Sequence, residues 1–246
     1  MTLDVTAPAT SRLKLSRLPN GEPEIFASVQ GEGVSAGVPS AFVRLSLCNL
    51  RCSWCDTKYT WDWERYDSKR EIVTLGSDEI ARRVQETGMR NVVITGGEPL
   101  LQQRALGPLA VALKGHGRRI EVETNGTMEP TALLSDLTDQ WNVSPKLANS
   151  GNAPAERDVA PALRWFAARP HAYFKFVVTE PGDIDEVRQL SGRYGIPAER
   201  VLLMPEGRDA ATLHRRSVWL VERCQEQGYR FTTRLHVLLW GDQRGR

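Results

Sequence analysis

Three cysteines, Cys48, Cys52 and Cys55, stand within eight residues in the run Cys48-Asn-Leu-Arg-Cys-Ser-Trp-Cys-Asp-Thr57. The spacing C-x3-C-x2-C lets three thiolates wrap one face of a compact metal centre. Three are too few to close a tetrahedral zinc site or to ligate every iron of a four-iron cluster. A metal left with an open position is where a cofactor or substrate binds. A distant Cys or His could still complete a zinc site, so the spacing alone leaves zinc open. The fourth cysteine, Cys224, falls far along the chain in a predicted helix. Disulfides fit poorly, because three clustered cysteines leave one unpaired and Met1 to Thr10 lacks a signal-peptide pattern.

Further chemistry-bearing residues follow apolar runs. Thr95-Gly-Gly-Glu-Pro99 offers two glycines for close backbone approach and Glu98 as an acceptor. Taken alone it reads equally as a strand-to-helix turn. Glu123-Thr-Asn-Gly-Thr127 puts a carboxylate ahead of an Asn-Gly turn, and Ser144-Pro-Lys146 offers a hydroxyl and a cation. Lys146 reads otherwise as a solvated lysine. Lys175, between aromatics, is either a snorkelling edge residue or a site residue. Met204-Pro-Glu-Gly207 closes another apolar run.

The elements that position these residues follow from patterning. Strands are predicted over 24–30, 41–47, 91–95, 119–123, 141–143, 172–178 and 200–204, with a strand-like run over 231–240. Helices are predicted over 77–88 with Ser77 as N-cap, 106–114, 131–137, 156–168 with a restart at Pro161, 183–194 and 209–227. Residues 56–76 form a long aromatic and charged loop. The alternation implies parallel βαβ units, and six strands between residues 41 and 204 suit an incomplete, TIM-like α/β barrel. Each motif then sits at the strands' C-terminal edge, where such barrels carry their sites. Residues 1–20 read as a variable extension and 21–246 as a single domain.

The 246 residues carry 32 basic and 30 acidic side chains, a net charge of +2, which gives no argument for direct nucleic-acid binding. No apolar run approaches the ~20 residues of a membrane helix. The cysteine usage fits a reducing cytoplasm.

The cysteine spacing resembles the signature of radical S-adenosylmethionine enzymes, where three cysteines hold a [4Fe–4S] cluster and S-adenosylmethionine chelates the fourth iron. Phe26-Ala-Ser-Val-Gln-Gly-Glu-Gly33, Phe42-Val-Arg-Leu45, Cys55-Asp-Thr57, Thr95-Gly-Gly-Glu-Pro99 and Ser144-Pro-Lys146 together closely resemble the 7-carboxy-7-deazaguanine synthase family. The resemblance runs from about residue 24 to the end of the chain. It implies conversion of 6-carboxy-5,6,7,8-tetrahydropterin into 7-carboxy-7-deazaguanine with loss of ammonia, a step towards queuosine and related deazapurines. A 5′-deoxyadenosyl radical would remove hydrogen from C6 of the pterin, and hydrogen return after ring contraction would regenerate S-adenosylmethionine.

The resemblance also implies roles. Cys48, Cys52 and Cys55 would bind the cluster and Thr57 a Mg2+ ion. Trp54, Cys55, Asp56, Gly96, Gly97, Glu98, Glu123, Ser144, Pro145 and Lys146 would border S-adenosylmethionine. Gln30, Gly31, Glu32, Arg44, Thr95 and His236 would border the pterin, Arg44 with a planar fork suited to a carboxylate. Implied partners are a flavodoxin or ferredoxin as electron donor and a second copy in a homodimer. The rivals are another radical enzyme, such as a glycyl-radical activase, or a non-catalytic zinc-binding module. Gln30-Gly-Glu-Gly33 and Thr57 argue against the first, and Thr95-Gly-Gly-Glu-Pro99 against the second.

Overall fold

The computed structural model describes residues 11–246. Its strands are β1 (Arg12–Ser16), β2 (Ile25–Val29), β3 (Pro39–Leu45), β4 (Ile72–Gly76), β5 (Asn91–Gly96), β6 (Arg119–Thr124), β7 (Gln140–Val143), β8 (Ala172–Val178), β9 (Val201–Pro205) and β10 (Arg230–Phe231). They form a ten-stranded sheet in the order β10-β9-β8-β7-β6-β5-β3-β1-β4, with β2 also paired to β3. From β3 to β10 every neighbouring pair is parallel. β1, β2 and β4 extend the sheet antiparallel at the β3 side. The fold is therefore the expected partial barrel of six parallel strands, with β10 as a short seventh.

The period-2 alternation of strand side chains explains both faces. Ala41, Val43 and Leu45, Val92 and Ile94, Ile120 and Val122, Trp141 and Val143, and Phe174 and Phe176 point outward and are buried in one apolar core. Helices cover that face. Gln103–Gly115 buries Leu106, Leu109, Ala110 and Leu113, and Asp183–Tyr194 buries Ile184, Val187, Leu190 and Tyr194. The intervening residues point inward and are largely polar. Glu121 is fully buried there, accepting from Ser35 Oγ at 2.7 Å, Asn142 Nδ2 at 3.0 Å and Gln140 Nε2 at 3.1 Å. Lys175 is inward too, between outward Phe174 and Phe176. This makes it an interior residue rather than an edge one.

Several elements differ from expectation. Residues 12–16, placed in a variable extension, form β1; Leu13 and Leu15 are fully buried while Arg12 and Lys14 face out. The folded unit thus begins by Arg12, and Met1 to Thr10 lies outside the described residues. The expected loop 56–76 contains a 3-10 turn Lys58–Thr60, a helix Ser68–Glu71 and β4. Ser77 is not an N-cap: it is the first residue of helix Ser77–Glu86, and its buried Oγ has no hydrogen-bond partner among the described residues. The helix expected over 156–168 is two, Pro154–Arg157 and Ala160–Ala167. The strand-like run 231–240 is mostly helix, Leu235–Trp240. β10 pairs with β9 for only two residues, after which Leu235 N donates to Gly31 O at 2.8 Å and turns the chain back over the barrel. That tertiary contact overrides strand propensity. Among the described residues no helix is long and apolar enough to cross a membrane.

Because β1 belongs to the core, Leu15→Ala is expected to destabilise the protein by about 2–5 kcal/mol in denaturant unfolding. A residue in a variable extension would change it by no more than about 0.5 kcal/mol.

Candidate active site

At the C-terminal ends of the parallel strands lies a cavity of about 450 Å³. One wall is the cysteine loop. As β3 ends, Leu47 takes φ 78°, the only left-handed non-glycine residue among those described. Such a conformation costs a side-chain-bearing residue roughly 1–2 kcal/mol. It is held by Leu47 N donating to Thr60 O at 2.8 Å and by Leu47 O accepting from Glu98 N at 2.8 Å. Leu45 O accepts from Gly97 N at 3.0 Å. A Cβ on Gly96 or Gly97 would collide with the carbonyls of Leu45 and Leu47 respectively. The two glycines thus let β5 press against the backbone that carries Cys48, while still lining the cavity.

Cys48, Cys52 and Cys55 all line this cavity and are unbridged. Each sulfur takes one N–H donor: Leu50 N to Cys48 at 3.5 Å, Asn152 Nδ2 to Cys52 at 3.3 Å, and Trp61 Nε1 to Cys55 at 3.4 Å. Burial pushes the Cys48 thiol up to about 12 and raises that of Cys52. Burial thus disfavours their thiolate forms, and a bound metal would supply the charge that favours them. Among the described residues no three His, Cys, Asp or Glu side chains close on a point as ligands of a single ion do. Three sulfurs on one wall, each with an N–H donor, fit an iron–sulfur cluster, whose sulfurs are tuned by such bonds.

Beside the loop, Trp54 Nε1 donates to Asn149 Oδ1 at 3.2 Å, and Lys146 Nζ lies 5.6 Å from the Trp54 ring centroid. Lys146 also donates to Ser144 Oγ at 2.8 Å. Asp56 and Thr57 line the cavity, the Thr57 hydroxyl 3.5 Å from Cys55 Sγ. Two sequence candidates do not face it. Pro145 is buried behind the wall, and Glu98 is fully buried, accepting from Asn125 N at 2.7 Å, Leu100 N at 2.9 Å and Thr124 Oγ1 at 2.9 Å. Glu98 fastens the ends of β5 and β6 together; its side chain is a brace rather than a ligand contact.

Opposite the cysteines is a dense polar wall. Glu123 accepts from Gln30 Nε2 at 3.0 Å and Thr95 Oγ1 at 2.8 Å. Glu32 is paired with Lys175, and with Arg234 Nε at 3.1 Å. Burial opposes its charge, but Lys175 and Arg234 outweigh it and hold Glu32 well below the usual carboxylate range. Arg44 Nε lies 2.8 Å from Glu24 Oε1, and Glu24 also accepts from Tyr59 and Arg244. Arg244 stacks 3.4 Å over the Tyr59 ring centroid. His236 packs so closely on Gly31 that a Cβ there would overlap the imidazole, and burial lowers its pKa. The cavity thus gathers every remaining candidate: Gln30, Gly31, Glu32, Arg44, Trp54, Asp56, Thr57, Thr95, Gly96, Gly97, Glu123, Ser144, Lys146 and His236.

Glu24, Tyr59, Asn152, Arg234 and Arg244 went unread in the sequence. None lies in a motif; each reaches the site through a contact distant in sequence.

The sequence pattern of the Radical SAM superfamily matches residues 43–150. The 7-carboxy-7-deazaguanine synthase of Pyrobaculum aerophilum is 43% identical over 227 residues, covering 91% of this chain and 96% of that one. The chain belongs to the 7-carboxy-7-deazaguanine synthase family. The synthase of Halobacterium salinarum is 40% identical, covering 89% of this chain and 90% of its own. The crystal structure of QueE from Escherichia coli superposes with a TM-score of 0.66 at 26% identity, over 92% of this chain and 95% of that one. As a radical SAM family, these synthases use a [4Fe–4S] cluster and S-adenosylmethionine, in agreement with the three-sulfur wall.

Gly97→Ala is expected to force the Leu47 carbonyl and Cys48 apart from β5. After anaerobic reconstitution the variant should hold less than half the iron and sulfide of the parent while remaining folded by circular dichroism.

Proposed function

We propose that this protein converts 6-carboxy-5,6,7,8-tetrahydropterin into 7-carboxy-7-deazaguanine, with loss of ammonia, as a carbon–nitrogen lyase. The observation that carries this reading is one cavity with a three-thiol wall facing a wall rich in paired carboxylates and amides. Cys48, Cys52 and Cys55 would hold the cluster. S-adenosylmethionine would lie along Trp54, Asp56, Gly96, Gly97, Ser144 and Lys146, with Glu123 at its border. Together, when bound, these groups would supply the radical chemistry for hydrogen exchange at C6 of the pterin. The rest of the chemistry is binding, orientation and exclusion of water.

The amino-pyrimidinone edge of the pterin presents adjacent N–H donors and a carbonyl. Glu32, kept ionised by Lys175 and Arg234, supplies acceptor lone pairs for the donors, and Gln30 an amide that serves either role. Glu24 holds Arg44 with its fork available to the pterin carboxylate. Thr95, already donating to Glu123, stands between the two walls. His236, packed against Gly31, offers its ring nitrogens as hydrogen-bonding groups. Thr57 would ligate Mg2+ through its hydroxyl, a hard oxygen suited to that ion, beside the substrate carboxylate.

The same reading assigns residues 12–246 to one catalytic unit working in the cytoplasm, as a homodimer, with electrons from a flavodoxin or ferredoxin. Its product enters queuosine or related deazapurine synthesis.

The test is turnover. Anaerobically reconstituted protein with dithionite, S-adenosylmethionine, Mg2+ and 6-carboxytetrahydropterin should yield 7-carboxy-7-deazaguanine by mass spectrometry, and Cys52→Ala should yield none. Release of 5′-deoxyadenosine without any deazapurine would contradict the substrate assignment. Reconstitution with zinc but never with iron and sulfide would contradict the radical chemistry itself.

A further inference from the structure

Arg234 is a buried guanidinium that belongs to no motif, yet it touches three separate segments of the cavity wall. Its Nε donates to Glu32 Oε1 at 3.1 Å, its Nη1 to the Gly207 carbonyl at 2.8 Å, and its Nη2 to Asp56. His236 Nε2 lies 3.5 Å from the same Nη2. Glu32 follows β2, Asp56 follows the last cluster cysteine, and Gly207 follows β9. Three segments of the wall that are far apart in sequence are therefore joined through one planar group.

We propose that Arg234 is a positioning residue that fixes the pterin-binding edge relative to the cysteine loop. This rests on the reading of Glu32 as a pterin contact and of the Cys55-Asp56-Thr57 run as part of the cofactor wall. The guanidinium is rigid, so the separation of its Nε and Nη2 donors is set by covalent geometry. The Gly207 carbonyl fixes the orientation of that plane. Glu32 and Asp56, bonded to different nitrogens of the one plane, then cannot shift independently. Lys175 takes the other Glu32 oxygen and prevents the carboxylate from rotating away. A side chain that need touch neither ligand thus sets the distance between the carbon that loses hydrogen and the cofactor that takes it. Lysine cannot replace it, since a single ammonium has no fork with which to hold two carboxylates at a fixed spacing.

Two measurements test this on Arg234→Lys, with Asp56→Asn as a second variant that leaves the guanidinium in place. In cluster-free protein, amide hydrogen exchange followed by mass spectrometry should speed up in the segments 30–33 and 54–58 together, and stay unchanged over β5 to β8. In reconstituted protein with unchanged iron content, deazapurine formation should fall about 100-fold, the scale expected for misplacement of reacting atoms by about 1 Å. Release of 5′-deoxyadenosine should fall far less, so that its ratio to deazapurine rises at least tenfold. Asp56→Asn should move the same ratio in the same direction. Equal losses of both products, or exchange unchanged in either segment, would overturn the inference. If the parent protein itself makes no deazapurine, the substrate reading fails, while the exchange result still decides whether Arg234 ties the two segments.

Discussion

The site depends on one backbone interlock, between the end of β3 and the end of β5. Leu47 is bent into a left-handed conformation, and its carbonyl is held by Glu98 N while the Leu45 carbonyl is held by Gly97 N. No residue with a Cβ can occupy Gly96 or Gly97 without striking those carbonyls. The strain at Leu47 is offset by this grip, and the result is a cysteine loop that leaves the sheet in a fixed direction. Glu98, below it, ties the same junction to β6 through Thr124 and Asn125. The Gly-Gly-Glu run therefore shapes the cysteine loop as well as the surface offered to a ligand.

A second constraint is electrostatic. A barrel interior lined by carboxylates is tolerable only if each is compensated, because an unpaired buried charge is costly. Glu24 has Arg44, Arg244 and Tyr59; Glu32 has Lys175 and Arg234; Asp56 has Arg234; Glu121 and Glu123 are surrounded by donors. These partners orient the carboxylates before any ligand arrives; burial opposes the charge of Glu32 and Asp56, yet the neighbouring cations hold both below the usual carboxylate range. Preorganised polar groups suit a reaction whose hard step belongs to the cofactors, because the protein has to hold one geometry and keep alternatives out.

Much of this was legible from residue order. The cysteine spacing, the glycine pair after β5 and the alternation of apolar strands with amphipathic helices are local signals, and they located the barrel and the edge that carries its site. What residue order does not carry depends on long-range contacts. β1 is five residues in which charged side chains alternate with Leu13 and Leu15, too short to stand out beside a polar terminus. The last helix reads as a strand because Val237 and its apolar neighbours fit either period, and only the bond from Leu235 N to Gly31 O decides between them. Glu98 reads as a ligand contact from its place in the motif, whereas its burial turns it to bracing. Asn152, about a hundred residues from its cysteine, carries no sequence signal at all.

On the proposed reading, three protein thiolates would leave one iron of the cluster open to S-adenosylmethionine. The most direct measurement is electron–nuclear double resonance on the reduced, reconstituted protein, using S-adenosylmethionine isotopically labelled at its amino nitrogen and carboxylate oxygen. Hyperfine coupling of both labels to the cluster is the predicted result. A reduced cluster whose spectrum carries no coupling from either label, with the cofactor bound, would contradict it.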